Sequence, residues 1–313
     1  MKNNIKKYIV LLLTLFILSS CSSQKEVNIE KDIADKAFNS TLDLKGINKD
    51  KRADEEQGKR IVMNSVALAQ LADELELKLA GVPSTNSGKL PQNYNHVYRI
   101  GLPMNPDMEV LKSINPTMVY IPDSLADWLD EGLLKHNIPH KYVNLRSVDS
   151  LYNITEEFAT QYNKKDKYEK LIDEKNKFFE DYNNRISDKK KPKVLVLMGL
   201  PSSYVVATEN SYVGNLVKLS GAENIVKSDK EFEQVNMEYL LSQNPDYILR
   251  AAHALPDVVM KMFEDEFENN KVWNQFSAKQ NNKVIDLDYN IFGMTAQFNY
   301  TQGLIKLEEI FYK

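Results

Sequence analysis

Between Lys165 and Ile186 the chain runs 22 residues without a glycine or a proline. Tyr168, Leu171, Ile172, Phe178, Phe179, Tyr182 and Ile186 fall on one stripe at three-to-four spacing, the period of an amphipathic α-helix. At 1.5 Å per residue that helix spans roughly 33 Å. It constrains the fold because strand and helix signals alternate on both sides of it. Before it, strands are predicted over 61–63, 97–100, 117–121 and 141–145, with helices over 65–77, 107–114 and 124–135. After it, strands are predicted over 193–198, 224–226, 246–250 and 283–287, with helices over 212–219, 237–242, 256–267 and 296–312. Such alternation argues for an α/β protein with largely parallel sheets. The expected architecture is therefore two Rossmann-like lobes joined by one long α-helix, with limited hinge motion. The expected divisions are a signal peptide over 1–20, a tether over 21–58, an N-terminal lobe over 59–150, a connecting helical segment over 151–191 and a C-terminal lobe over 192–313.

One nonapeptide occurs once in each half. "MEVLKSINP" begins at Met108 and "MEYLLSQNP" begins at Met237, with six of nine positions identical. Asp107 and Asn236 precede them as helix N-caps. Met108, Leu111 and Ile114 face the lobe in one copy, and Met237, Leu240 and Leu241 in the other. Glu109 and Glu238 point about 100° away from the preceding methionine, toward solvent. A carboxylate so placed gains only about 0.3–1 kcal/mol from the helix dipole. Its recurrence at matching positions of two lobes calls for a further reason.

The first residues are set apart from the fold. A basic start, an apolar run over 8–18 and the small residues Ser19 and Ser20 describe a secretory signal. The run is shorter than the roughly 20 residues of a membrane span. "LSSC" resembles a bacterial lipobox, which implies cleavage before Cys21 and lipidation of that residue. Several acyl chains, at about 0.8 kcal/mol per buried methylene, hold firmly to a bilayer. Cys21 is the only cysteine, so disulfides and thiolate metal sites are excluded. The formal charge is −4, and removing a segment that carries Lys2, Lys6 and Lys7 leaves about −7. An acidic chain without a basic block is a poor nucleic-acid binder.

Ligands of open α/β sheets sit beyond the carboxyl ends of the strands. The strand over 246–250 runs into "AAHALP", placing His253 there. The strand over 97–100 runs into "GLPMNPDME", placing Met104 in a loop where apolar burial is hard to arrange. His96 lies in a polar loop, and Pro139 breaks the helix that would align His136 with His140. "LPSSYV" follows a second-lobe strand and brings Ser202, Ser203 and Tyr204 toward the site. A histidine and a methionine from opposite walls form a known axial pair for haem iron. Arg250 and Tyr204 keep open a carrier of ferric siderophores or corrinoids. No Gly-x-Ser-x-Gly elbow, phosphate loop or dinucleotide fingerprint points to an enzyme.

The segments "IVMNSVALAQLADELELKLAGVP", "YRIGLPMNPDMEVLKSINPT", "PKVLVLMGLPSSYVVATENSYVGNLVKLSGAENIV" and "NPDYILRAAHALPDVVMKMFEDEF" carry a family likeness. The chain resembles the haem-binding lipoproteins of iron-regulated surface determinant systems. These are solute-binding proteins of the metal-chelate ABC importers, whose two lobes share one helical backbone. The resemblance covers about residues 59–313. It implies Met104 and His253 as axial ligands of a non-covalent b-type haem, and haem contacts at Val66, Ala67, Thr85 and Asn86. The loop holding the last two departs from the family pattern. It implies Glu109 and Glu238 as the residues that meet a two-fold ABC permease, one per lobe. It further implies haem-donating surface proteins as partners and a monomer held by lipid outside the cytoplasmic membrane of a Gram-positive bacterium. The N–H groups that open the helix after Ser65 suit a propionate. Two axial ligands leave iron no open position, which favours carriage over catalysis.

Overall fold

The computed structural model describes residues 48–313 apart from 49, 86, 87, 235 and 254. The expected signal peptide and Cys21 lie outside the described residues. In chain order come β1 (Ile61–Met63), α1 (Val66–Glu74), β2 (Gly81–Val82), β3 (Tyr98–Arg99), β4 (Gly101–Leu102), β5 (Asn105–Pro106), α2 (Met108–Ile114), β6 (Met118–Pro122), α3 (Ala126–Lys135) and β7 (His140–Val143). Two helices follow, α4 (Val148–Gln161) and α5 (Lys165–Ile186). The second half holds β8 (Lys193–Leu200), β9 (Ser203–Ala207), α6 (Tyr212–Leu219), β10 (Glu223–Asn224), β11 (Phe232–Glu233), α7 (Met237–Gln243), β12 (Tyr247–Ala252), α8 (Pro256–Asn269), α9 (Ser277–Gln280), β13 (Val284–Asp286) and α10 (Tyr300–Tyr312).

The first sheet has the order β3-β2-β1-β6-β7, with every neighbouring pair parallel. Helices cover both faces, so its central strand reads as an unbroken apolar run. Ile61 and Met63 enter one core, while Val62 meets Leu111, Ile114, Leu129 and Leu133 on the other face. The second sheet has the order β11-β9-β8-β12-β13, with β10 also beside β8. Strands β8, β12 and β13 are parallel, whereas β9 returns antiparallel to β8. Val194, Val196 and Met198 face one core, and Leu195 and Leu197 the other.

Helix α5 spans the 22 residues that the apolar stripe predicts, with Leu171 and Tyr182 buried. It does not make the connection alone. A Ser147–Ser150 capping box opens α4, and Asn163, with φ of 57°, turns the chain between the two helices. Side chains from both sheets and from α4, α5 and α10 share one apolar core. Tyr152 and Tyr300 hydroxyls meet at 3.2 Å, and the Tyr182 hydroxyl donates to Leu304 O at 2.9 Å. Residues 50–58, expected to belong to the tether, lie against the first lobe. Lys78 N donates to the Glu56 carboxylate, and the Gln57 amide donates to Tyr162 O.

The two repeats form the same helix twice. Asp107 Oδ1 accepts from the backbone of Glu109 and Val110, and Asn236 Oδ1 accepts from that of Tyr239. Each helix ends on an asparagine in the left-handed region, Asn115 at φ 50° and Asn244 at φ 44°. The proline that follows each cannot continue the helix. Close packing also limits α6, where a Cβ on Gly214 would overlap the Thr208 carbonyl. Gly214→Ala is expected to lower unfolding free energy by about 3 kcal/mol, the upper range for overpacking, as measured by urea denaturation.

Candidate ligand-binding site

Met104 sits at the tip of a hairpin rather than in an open loop. Strands β4 and β5 pair Gly101 with Pro106 and Leu102 with Asn105, leaving Pro103 and Met104 as the turn. Gly101 has φ of +90°, and a Cβ there would approach Asn105 O to 2.9 Å. The hairpin is tied to the carboxyl ends of the first sheet. Ser84 N donates to Gly101 O at 2.7 Å, and the Asn64 amide donates to Pro103 O at 2.9 Å. Met104 is thus a 49% exposed residue on a backbone with little freedom. Gly101→Ala is expected to weaken ligand binding several-fold with a smaller change in thermal midpoint, because its strain falls on the hairpin. Parallel binding and melting curves test this.

Val66 and Ala67 open α1 just beyond β1, Val66 half-buried and Ala67 buried. A helix leaves its first N–H groups without helical partners, and Ser65 Oγ accepts only that of Leu68. Thr85 is half-buried beyond β2, while Asn86 lies outside the described residues. The first sheet therefore brings Val66, Ala67, Thr85 and the Met104 hairpin to one end.

The second sheet gathers its candidates at the corresponding end. His253 follows β12, and its backbone N–H donates to Gly199 O at 2.9 Å. Its ring is half-buried, and burial lowers its pKa because desolvation disfavours the charged imidazolium. A neutral imidazole is the metal-binding form. Ser202, in the turn from β8 to β9, and Ser203, which opens β9, are exposed. Tyr204 turns away from that surface. Its hydroxyl donates to Glu266 Oε1 at 3.1 Å, which also accepts from Trp273 Nε1 and Asn270 Nδ2. Burial and then the Glu266 charge push its phenol up to about 12.

Arg250 does not serve an anionic ligand. Its guanidinium makes a two-pronged pair with Asp286 at 2.5 and 2.7 Å and lies over the rings of Phe263 and Phe267. The charge is neutralised and sheltered, which removes one support for a siderophore site. The other histidines have local partners: His96 meets Asp54 at 2.6 Å, His136 meets Gly132 O, and His140 meets Asp130 and Ile138 O. Among the described residues no group of three or more His, Cys, Asp or Glu could hold a metal ion. Glu109 and Glu238 are exposed, each in the first turn of its helix. Among the described residues no helix is long and apolar enough to cross a membrane.

Sequence reasoning passed over Asn64 and Ser84, which brace the hairpin and are 0% and 5% exposed. The available signal was a polar residue one or two positions after each buried strand. It also passed over β9, because "SYVVA" follows β8 after only a two-residue turn.

The periplasmic binding protein family matches residues 61–290. The chain is 38% identical over 256 residues to the high-affinity heme uptake system protein IsdE of Staphylococcus aureus, covering 81% of this chain and 87% of that protein. The crystal structure of S. aureus IsdE complexed with heme superposes with a TM-score of 0.78 at 37% identity, covering 82% of this chain and 99% of that one. An ABC transporter substrate-binding protein from Listeria monocytogenes EGD-e superposes with a TM-score of 0.77 at 39% identity, covering 81% and 98%.

Proposed function

The chain belongs to the periplasmic binding protein family, and from that premise we propose that it carries haem to an ABC permease for iron acquisition. One observation carries the reading. A braced methionine hairpin at the end of one sheet and a half-buried histidine at the same end of the other supply a soft and a borderline ligand, in a chain 38% identical to a heme uptake protein. Met104 and His253 are the axial pair. The first N–H groups of α1, at Val66 and Ala67, receive a propionate, with Thr85 beside it; Asn86 is a further contact that the family resemblance implies. Ser202 and Ser203 border the second wall, and Tyr204 braces their turn through Glu266. A six-coordinate iron has no position left for oxygen, so the protein carries haem and does not convert it.

Glu109 and Glu238 present one carboxylate per lobe to the two-fold permease. The lipid on Cys21 holds the monomer at the outer face of the cytoplasmic membrane, where haem-donating surface proteins reach it. The test is an absorption titration of the full chain with haem. Saturation at one haem per chain with a six-coordinate low-spin spectrum is expected. Weak, unsaturable binding would sink the haem assignment and turn the search to other iron chelates.

A further inference from the structure

The geometry points to Arg146 as a positioning residue that sets the angle between the two walls of the ligand site, by pairing with Asp123 of the first lobe and Glu231 of the second. Its consequence for haem rests on the carrier reading; its consequence for lobe geometry does not.

The chain leaves the first sheet at Val143 and crosses to α4 through residues 144–147. This crossing is bonded to the second lobe. Leu145 O accepts from Ala296 N at 2.7 Å, and Val148 N donates to the Asn215 side chain at 3.0 Å. Arg146 therefore moves with the second lobe. Its Nη2 reaches back 3.1 Å to Asp123 Oδ2, and Asp123 directly follows the carboxyl end of β6. Its Nε lies 2.9 Å from Glu231 Oε1. Glu231 is itself held on the second sheet, where its carbonyl accepts from Thr208 N. The Arg146–Asp123 contact thus runs from a segment bonded to the second lobe to the carboxyl end of β6 in the first.

A guanidinium suits this task because its delocalised charge lies within ion-pair distance of two carboxylates at once. The side chains of Arg146, Asp123 and Glu231 are 42%, 27% and 16% exposed, so solvent ions screen them less than open surface charges. Burial raises the Glu231 pKa, Arg146 opposes that rise and the Asp123 charge adds to it. Rotation of the lobes apart stretches the Asp123 contact, and the remaining Glu231 contact keeps Arg146 in place for reclosure.

The test uses the full chain with Cys21→Ser and spin labels attached through Ser113→Cys and Ser242→Cys, exposed positions on α2 and α7. Distances between the labels are read without haem by pulsed electron spin resonance. Arg146→Met, which keeps the bulk and removes the charge, is expected to broaden the distribution. Asp123→Asn is expected to do the same, and it guards against a fold defect in the first variant. Adding Asp123→Asn to Arg146→Met should widen it no further. Haem dissociation is expected to speed up about two- to fivefold, the scale of a partly exposed ion pair. High salt should reproduce the change in the parent and not in the variants. Distributions in both variants that match the parent would overturn the proposal. Failure of the parent to bind haem would sink the carrier reading, and the distances would still decide the role of Arg146.

Discussion

His253→Ala is expected to abolish the low-spin spectrum of the haem complex and to weaken haem binding by on the order of 100-fold. Loss of even an outer partner of a metal ligand costs roughly 10–100-fold, and here the proposed ligand itself is removed. His253 also has the stronger structural preparation. It follows a buried strand, its backbone is tied to Gly199 O, and burial lowers its pKa. Met104→Ala is expected to lose less, on the order of tenfold, because a thioether is a weak acceptor and water can enter a position that is half exposed. The absorption titration of both variants beside the parent reads the two effects. Variant spectra indistinguishable from the parent would remove both residues from the iron and leave only the fold and the docking residues.

Reversing both proposed docking charges, with Glu109→Lys and Glu238→Lys together, is expected to reduce haem uptake into cells at least tenfold while the haem titration is unchanged. Truncating one partner of a desolvated interfacial charge pair costs about 2–5 kcal/mol, and the proposed docking uses two such pairs. The fold is expected to survive. Both side chains are exposed, and the lost dipole interaction is worth about 0.3–1 kcal/mol at each helix. Single reversals should leave intermediate uptake, since the other lobe still docks. Normal uptake by the double variant would refute the assignment, whereas loss of haem binding would show that the substitutions disturb the cleft instead.

Much of the fold was legible because its signals are local. The spacing of Leu171, Phe178 and Tyr182 marks α5 to the residue, since a helix repeats its environment every three to four positions. The caps at Asp107 and Asn236 were legible for the same reason: a side chain there bonds to a backbone two or three residues away. Boundaries were less so. The helix expected from residue 296 begins at Tyr300, and the one expected to reach 77 ends at Glu74, before Glu76 enters the left-handed region at φ 51°. The helix α4 was absorbed into a longer connecting segment, although a capping box at Ser147 announces it.

By itself, the sequence determined two α/β series, the rigid helix between them, the paired capped helices and the strand ends from which Met104 and His253 emerge. Each follows from residues within a few positions of one another, where periodicity and chain stiffness set the outcome. Only the tertiary structure decided what those residues may do. Arg250 was a candidate cleft cation until Asp286, 36 residues away, took both of its prongs. Met104 gained a fixed position because Asn64, 39 residues before Pro103, holds the hairpin that carries it. Arg146 stands within ion-pair distance of carboxylates of two lobes that lie 23 and 85 residues away in the chain. A charge or a ligand takes its character from whatever is packed against it, and the packing brings together residues that the chain keeps far apart.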